Sequence, residues 1–262
     1  MKKIIYISLL VSSIFAFLSC EKNLIEANNQ WEYTNPENAN VKFINAYTSN
    51  IPVGAPGVAV TRFYIFQNTQ KLNGNALSTA GSWPGPATYA SLSPAKTDFY
   101  AILDRRVGND YGKAAKGDTA FKANVPLSAG KYYSVFMIGE SPTQKMQIVE
   151  DKIISPSENT YGVRFANFIV SSNADRALDI YSRREAKVLA TLKYPNVTDF
   201  IQLPISVGSI SDTLDVREAG TTKNLYSFNN FTPVSRRSYT FYTYGRGTVA
   251  PFAERLINYT NK

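Results

Sequence analysis

The tryptophan at position 83 is the side chain best suited to hold a ligand. Trp83 lies in the segment 67–88, where glycine and proline flank it on both sides, and Tyr89 follows shortly after. An indole ring covers the apolar face of a pyranose well, so Trp83, together with Tyr89, is a candidate contact for a glycan or a protein partner. The alternative is a Trp83 ring that folds back and plugs the end of its domain, in which case Trp83→Ala lowers stability.

A second loop, residues 104–118, mixes carboxylates, cations and glycine. Asp104, Asp110 and Asp118 offer oxygen ligands of the kind that calcium takes. Their spacing is not that of a known calcium loop, however, and four lysine and arginine side chains occupy the same stretch. We therefore predict no metal site and no cofactor.

The composition removes most catalytic machinery. The 262 residues include no histidine and a single cysteine, which excludes Ser-His-Asp and Cys-His mechanisms, most zinc sites and any disulfide within the chain. Neither G-x-S-x-G nor a phosphate-binding loop is present. A glycosidase needs a pair of carboxylates, and the 20 Asp and Glu residues could supply one, but no active-site spacing stands out among them. We predict a protein that is not an enzyme.

The first 20 residues have the form of an export signal. Two lysines precede an apolar run over residues 4–18, which is short for a membrane-spanning helix. The run ends in FLSC (17–20), which resembles the lipobox of bacterial lipoproteins, although Leu is more usual there than Phe17. In that class the cysteine becomes the first mature residue and carries lipid. We therefore predict that Cys20 is lipidated and anchors the protein in a membrane; the alternative is a plain signal peptide.

Charge is positive but dispersed over the mature chain. Loss of residues 1–19 removes Lys2 and Lys3, which lowers the formal net charge from +8 to +6. The remaining cations form short scattered pairs that are typical of solvated edges and turns, with contact to anionic envelope polymers as the minority interpretation. An exported location argues against nucleic acid as a partner.

One pattern occurs twice along the chain. VKFINAY (41–47) recurs as VRFANFI (163–169), and KYYSVFMIG (131–139) recurs as RSYTFYTYG (237–245). The same order at long spacing indicates a duplicated domain, not a short-period solenoid. The predicted boundaries are a signal peptide over 1–19, a lipidated tether over 20–40, and two domains over 41–154 and 160–262.

Short β-type runs fill both copies, and no segment of the mature chain shows a helical period over three turns. In the first copy we predict strands over 41–47, 58–66, 87–92, 97–103, 120–126, 131–138 and 144–150. In the second copy we predict them over 162–170, 176–181, 188–191, 198–203, 212–217, 224–228, 237–244 and 251–257. Seven or so strands in about 110 residues are typical of a sandwich. We predict an all-β protein with two tandem immunoglobulin-like antiparallel β-sandwiches.

A local motif favours the immunoglobulin-like version. In LSAGKYY (127–133), Leu, Gly and Tyr fall at three-residue steps, which resembles a tyrosine corner. Tyr239 keeps its place in the second copy, but Pro233 and Arg236 replace the Leu and Gly. A corner in the second copy therefore stays open beside a Tyr239 that simply packs at the edge.

The order of these motifs resembles the domain-of-unknown-function 4397 family. The shared features are the VRF.N strand, a D.Y strand (179–181), a D.LDVR strand (212–217) and the closing GKYYSVF.IG strand, over residues 40–260. The resemblance implies extracytoplasmic β-sandwich domains of Bacteroidota-type lipoproteins and implies no catalytic residues. Thr119 and Thr213 lie in short sequences that resemble O-glycosylation acceptors of such bacteria.

These features predict a non-catalytic, lipid-anchored outer-membrane protein, periplasmic or surface-facing. It presents a binding or adhesion surface for a glycan or an envelope protein. The alternative is a pilus or matrix assembly subunit that pairs strand edges, and a glycan-degrading enzyme ranks below both.

Overall fold

The computed structural model describes residues 36–48, 62–104, 119–205, 211–247 and 253–261. Within these ranges the chain forms seventeen β-strands and no helix. The all-β prediction is therefore confirmed. Residues Pro36–Lys262 form one compact unit.

The first nine strands belong to the first copy. They are β1 (Ala39–Asn45), β2 (Phe63–Gln67), β3 (Gln70–Lys71), β4 (Ser82–Trp83), β5 (Ala90–Leu92), β6 (Asp98–Leu103), β7 (Thr119–Asn124), β8 (Tyr132–Ile138) and β9 (Lys145–Glu150). The second copy contains β10 (Thr160–Ile169), β11 (Ala177–Ser182), β12 (Lys187–Lys193), β13 (Ile201–Pro204), β14 (Asp212–Glu218), β15 (Asn224–Phe231), β16 (Ser238–Gly245) and β17 (Arg255–Thr260). Two very short strands, β3 and β4, are missing from the predicted set.

Each copy is a sandwich of two sheets with the same strand order. The first copy has the sheet β4-β1-β8-β9, with β5 also paired to β1, and the sheet β3-β2-β6-β7. The second copy has β13-β10-β16-β17 and β12-β11-β14-β15. Strand for strand the orders match, except that β13 alone takes the place of β4 and β5. The predicted duplication is thus visible as a repeated topology.

One strand pair in each sandwich is parallel. β1 runs parallel to β8, with Val41 opposite Tyr133, and β10 runs parallel to β16, with Val163 opposite Tyr239. All other named pairs are antiparallel. The prediction of two β-sandwiches is confirmed. The two parallel pairs were not predicted, because the alternation of side chains along a strand carries no information about the direction of the neighbouring strand.

The cores follow from period-two burial. In β2 and β6, every second side chain is buried and the others are half-buried or exposed, as expected for strands with one covered face. The first core draws on residues between 39 and 146, and the second on residues between 161 and 256. The predicted domain boundaries remain a prediction.

Both copies contain a tyrosine corner. The hydroxyl of Tyr133 accepts a hydrogen bond from the backbone N–H of Ser128 at 3.1 Å, and that of Tyr239 accepts one from Val234 at 3.0 Å. The corner thus survives the loss of Leu and Gly in the second copy. Each hydroxyl bonds to backbone five residues upstream, so the neighbouring side chains are not required.

Four strands are buried on both faces, which period-two patterns do not predict. Every residue of β1 and β16 is buried, as is every residue but the first of β8 and β10. Their outer faces meet in a third apolar layer between the two sandwiches. Its buried members are Ile44, Ala46, Phe136, Ile138, Ala166, Phe168, Tyr242, Tyr244 and Tyr259. The rings of Phe136 and Phe168 lie 4.6 Å apart in this layer, so the two sandwiches pack directly on each other.

Candidate functional site

A cluster of buried polar side chains continues the layer between the sandwiches. Lys42 of β1 and Arg164 of β10 occupy the same position of the repeated motif, and both are fully or almost fully buried. Since their neighbours Val41, Phe43, Val163 and Phe165 point into the two cores, the two basic side chains emerge on the opposite face. The repeated basic position therefore serves the junction and not the surface.

Asp151 is the buried carboxylate of this cluster. It follows β9 directly and forms an ion pair with Arg164, whose Nη2 donates to Oδ1. The hydroxyl of Ser134 donates to its other oxygen at 2.6 Å. Arg164 also donates to Thr240 at 2.8 Å and to Tyr259 at 3.2 Å. A buried charge with this many hydrogen bonds is stably held.

Among the described residues, Lys42 has no carboxylate partner within hydrogen-bond distance. Its ammonium donates to the backbone carbonyls of Pro86 and Thr260, at 2.9 and 2.7 Å, and lies 4.6 Å from the ring centres of Tyr89 and Tyr259. Burial is the main cause that lowers the pKa of Lys42 to about 7; the charge of Asp151 opposes this shift and that of Arg164 adds to it. This side chain therefore loses its proton far more readily than an exposed lysine.

Tyr89, a predicted ligand contact, lies in this cluster. Its hydroxyl donates to Asp151 at 2.6 Å and accepts from the side-chain amide of Asn261 at 2.8 Å. Burial and the neighbouring charge of Asp151 raise the pKa of Tyr89 well above its ordinary value, so it stays a donor. The hydroxyl of Tyr89 thus belongs to the junction cluster, of which Trp83 is not a member. Contact between Tyr89 and a ligand remains a prediction.

Trp83 is half-buried in β4 and packs against the first core. Its ring lies 6.1 Å from that of Phe43, the residue opposite it in β1. The same loop reaches the second sandwich through two hydrogen bonds. The hydroxyl of Tyr242 donates to the carbonyl of Ala80 at 3.1 Å, and the backbone N–H of Thr260 donates to the carbonyl of Pro86 at 3.0 Å. The loop predicted to carry a contact is thus also a docking element. Ligand contact by Trp83 remains a prediction.

Other predicted positions fall partly outside the described residues. Cys20, Asp110 and Asp118 lie there, whereas Asp104 is buried after β6. Within the described part of the chain, no three metal-binding side chains come together. No helix among those residues is long and apolar enough to cross a membrane.

A cleft of about 340 Å³ opens where the ends of the two sandwiches meet. One wall is the β8–β9 turn, with Gly139, Glu140 and Thr143. The other is the end of β10 and the loop that follows it, and Tyr194 from the β12–β13 connection completes the site. Loops from both copies thus build the cleft, so it exists only because the sandwiches are joined.

Gly139 shapes the mouth of the cleft. Its φ is +87°, a region that L side chains rarely adopt. A Cβ here would lie 3.3 Å from the hydroxyl of Tyr194 and 3.2 Å from the backbone of Thr143. A glycine at this position therefore lets the turn approach Tyr194 closely.

Two ion pairs stand at the cleft. Arg176 binds Glu254 through two parallel hydrogen bonds of 2.6 and 2.9 Å, and Arg246 of the second sandwich binds Glu140 of the first at 2.6 Å. Burial and the charge of Glu140 raise the pKa of Tyr194, which keeps its hydroxyl protonated. The site therefore offers neutral donors and acceptors beside charges that are already paired.

Sequence reasoning missed both the junction cluster and the cleft. The repeated basic residue at positions 42 and 164 was a signal for the first, since a buried strand motif with a conserved charge type in both copies needs a partner. The cleft had no comparable signal, because its residues are spread over three connections and two strands and form no motif.

No protein-family model matches the chain, and no curated protein sequence matches it. Among solved structures it is similar to the Bacillus anthracis TIE protein, at 8% identity and a TM-score of 0.21, over 80% of this chain and 34% of that one. The chain therefore spans about a third of that protein. It is also similar to an alpha-glucan-binding streptococcal virulence factor, at 11% identity and a TM-score of 0.24, over 85% of this chain and 97% of that one.

A third similar structure is the fimbrial anchor protein Mfa2 from Porphyromonas gingivalis. The identity is 11% and the TM-score 0.20, over 86% of this chain and 97% of that one. At such TM-scores these likenesses carry no argument about what the chain does.

Proposed function

We propose that this protein is a non-catalytic, lipid-anchored envelope protein that presents a binding or adhesion surface to a glycan or an envelope protein. The observation that carries the proposal is the layer between the sandwiches. It joins two small domains through an apolar cluster and a buried ion pair, which makes them one body. A rigid scaffold that displays loops at its ends is the usual basis of a binding module.

The contacts of three buried reactive side chains support the non-catalytic part of the proposal. Lys42 and Tyr89 have the shifted pKa values that mark catalytic groups in other proteins, and Asp151 is a buried carboxylate beside Tyr89. Here their polar atoms bond to one another and to backbone carbonyls inside the junction. They stabilise the contact between domains and leave no reacting atom facing a substrate.

The anchor is tested on the full-length precursor in a Gram-negative host. Mass spectrometry of the mature N-terminus should find acylated Cys20, and Cys20→Ser should move the protein from the membrane to the soluble fraction. Protease treatment of intact cells then separates surface-facing from periplasmic placement. An unmodified Cys20, or cleavage elsewhere, contradicts the lipoprotein part of the proposal.

The binding surface is tested with the mature protein in detergent on arrays of envelope polysaccharides and outer-membrane proteins. A saturable signal that is independent of the lipid supports the proposal. The same arrays are repeated with Asp151→Ala, which removes the buried ion pair between the sandwiches. This variant should bind more weakly because its two sandwiches are held together less firmly. Turnover of a polysaccharide in the same panel would favour a glycan-degrading enzyme instead.

A pilus or matrix subunit is the second candidate, because two strands on one side of the second sandwich lie at sheet edges. Among the described residues, β12 and β13 each pair with a single strand, and they carry the exposed aliphatic residues Val188 and Ile201. Such edges accept an added strand. Polymers that grow with protein concentration, and that Val188→Lys abolishes, would favour this function over the first.

A further inference from the structure

We propose that the cleft between the sandwich ends binds a neutral carbohydrate of one or two hexopyranose units. The inference rests on the proposed binding function and assigns that function to a site. It starts from the size of the cleft, about 340 Å³. A cavity of about 150 Å³ holds benzene, which has half the heavy atoms of a hexopyranose, so the cleft has room for at least one sugar unit.

The charges at the site favour an uncharged ligand. Arg176 is matched by Glu254, and Arg246 by Glu140, each through short ion pairs. An anionic ligand such as a phosphate or uronate would have to displace Glu254 or Glu140 from its partner. A neutral polyhydroxyl compound leaves both pairs intact and hydrogen-bonds to their outer atoms.

The cleft also retains hydrogen-bonding capacity. Among the described residues, neither the hydroxyl of Tyr194 nor the side-chain nitrogen of Asn173 has a hydrogen-bond partner. The hydroxyl of Thr143 donates to the carbonyl of Glu140 and can still accept. Donors and acceptors at fixed positions on two walls match the hydroxyl groups of a sugar ring.

An apolar base complements these polar walls. Ile169 and Leu178 line the cleft as buried members of the second core, and the half-buried ring of Tyr194 forms one side. The Tyr194 ring can cover the C–H face of a pyranose, and the two aliphatic side chains keep the base of the cleft apolar. A peptide strand, by contrast, needs a row of open backbone groups, which the sandwich presents along β12 and not in the cleft.

The experiment uses the mature lipidated protein in deuterated detergent. Saturation-transfer NMR is recorded with the neutral disaccharides maltose, cellobiose, lactose and N,N′-diacetylchitobiose, and with digalacturonate as the anionic probe. We expect transfer to at least one neutral disaccharide and none to digalacturonate. Titration of the responding sugar then gives a dissociation constant.

Four variants locate the site. Tyr194→Ala and Asn173→Ala should each raise the dissociation constant on the order of tenfold, which corresponds to the loss of one good contact. Asn173 is exposed, so its variant stays informative if Tyr194→Ala fails to fold. Tyr100→Ala, on the outer face of the first sandwich, is the matched tyrosine control and should bind as the unaltered protein does. Trp83→Ala tests the competing location, the predicted loop contact.

The outcomes separate this inference from the proposed function. No transfer to any neutral disaccharide, or a preference for digalacturonate, overturns the carbohydrate assignment. Loss of binding in Tyr100→Ala or Trp83→Ala, with full binding in the two cleft variants, overturns the location. In each case a persistent array signal on envelope polymers or proteins leaves the broader binding function standing.

Discussion

The two sandwiches share a strand order but place different charges at equivalent positions of their junction. Lys42 and Ser134 in the first copy correspond to Arg164 and Thr240 in the second, since each pair faces across the parallel strands in the same register. Asp151, which follows β9, corresponds to Asn261, which follows β17. One copy thus supplies a carboxylate where the other supplies an amide.

This difference shows how a duplicated strand adapts to an interface. When the same face of two copies meets, like side chains are brought together, as in any isologous contact. Two buried cations would repel each other, and a single carboxylate pairs with only one of them, Arg164. The other cation, Lys42, has its pKa lowered to about 7 and can lose its proton. The junction can therefore shed its second positive charge without a second carboxylate.

The outer faces of the sandwiches diverged more freely. In the first copy Phe66 and Tyr100 stack across β2 and β6, with ring centres 5.0 Å apart. At the corresponding place in the second copy, Asp215 binds Arg183 and Arg217. Within the part of the chain that the structure describes, no second sheet packs on these faces, so aromatic and ionic contacts serve equally.

The largest expected effect comes from erasing the charge difference at the junction. Asp151→Asn gives the first copy the amide of the second and leaves Arg164 buried without its counter-ion. We expect the free energy of unfolding to fall by about 3–5 kcal/mol, the usual cost of breaking a buried pair from one side. Urea denaturation measures it. The control is Glu150, the residue before Asp151, which forms an exposed ion pair with Lys131. Glu150→Gln breaks that pair and should change the free energy of unfolding little.

The second prediction concerns pH and distinguishes the two cations. The folded-state pKa of Lys42 lies below its unfolded value of about 10.5, so the unfolded chain binds more protons between pH 7 and 10.5. Stability from this group is therefore lowest at and below pH 7 and rises with pH. Relative to Lys42→Met, the unaltered protein should gain up to about 1.4 kcal/mol per pH unit between pH 7 and 9.

Arg164→Met is the control for the pH series. Although burial opposes its charge, Tyr259 and Asp151 raise the net pKa of Arg164, so it stays protonated throughout this range. Its removal should lower stability at every pH from 7 to 9, with a weaker pH dependence than Lys42→Met shows, because the charge of Arg164 is only one contribution to the lowered pKa of Lys42. A difference from the unaltered protein that changes with pH for Arg164→Met but not for Lys42→Met would contradict the assignment.

The tyrosine corners should contribute equally despite their different sequences. Tyr133→Phe and Tyr239→Phe each remove the acceptor for one backbone N–H, and we expect a loss of about 1–2 kcal/mol in both cases. Thermal or urea unfolding compares them. Tyr132→Phe, one residue from the first corner, should have little effect; unequal losses would show that Leu127 and Gly130 matter to the corner after all.

The smallest effect is at the turn just before the last two strands of each copy. Gly130 has a φ of +74°, and Arg236 holds the equivalent place with a φ of +65°. The backbone N–H of Gly130 donates to the carbonyl of Asn38, and that of Arg236 donates to the carbonyl of Thr160, each at 2.8 Å. Because a left-handed conformation strains a side chain, Arg236→Gly should stabilise by about 1 kcal/mol and Gly130→Ala should destabilise by a similar amount.

Most strands were predictable because their signals are local. The runs 97–103, 131–138, 144–150 and 212–217 lie within a residue or two of β6, β8, β9 and β14. The two-residue strands β3 and β4 were not, since two residues show no alternation and depend on a neighbour for their pairing. The candidate site was less predictable, as the placement of Tyr89 illustrates. Its partners Asp151 and Asn261 lie 62 and 172 residues away.

The sequence by itself determined the strand content, the duplication and the lack of histidine chemistry, because period, turn residues and composition are properties of neighbouring residues or of the whole count. It also carries the lipobox-like segment on which the predicted anchor rests. Only the tertiary structure decided that the outer faces of β1, β8, β10 and β16 are covered, that Lys42 and Asp151 belong to one buried cluster, and that a cleft forms between loops of both copies. Each of these depends on which surfaces of two similar domains meet, and that contact is settled by the summed burial and charge of residues far apart in the chain.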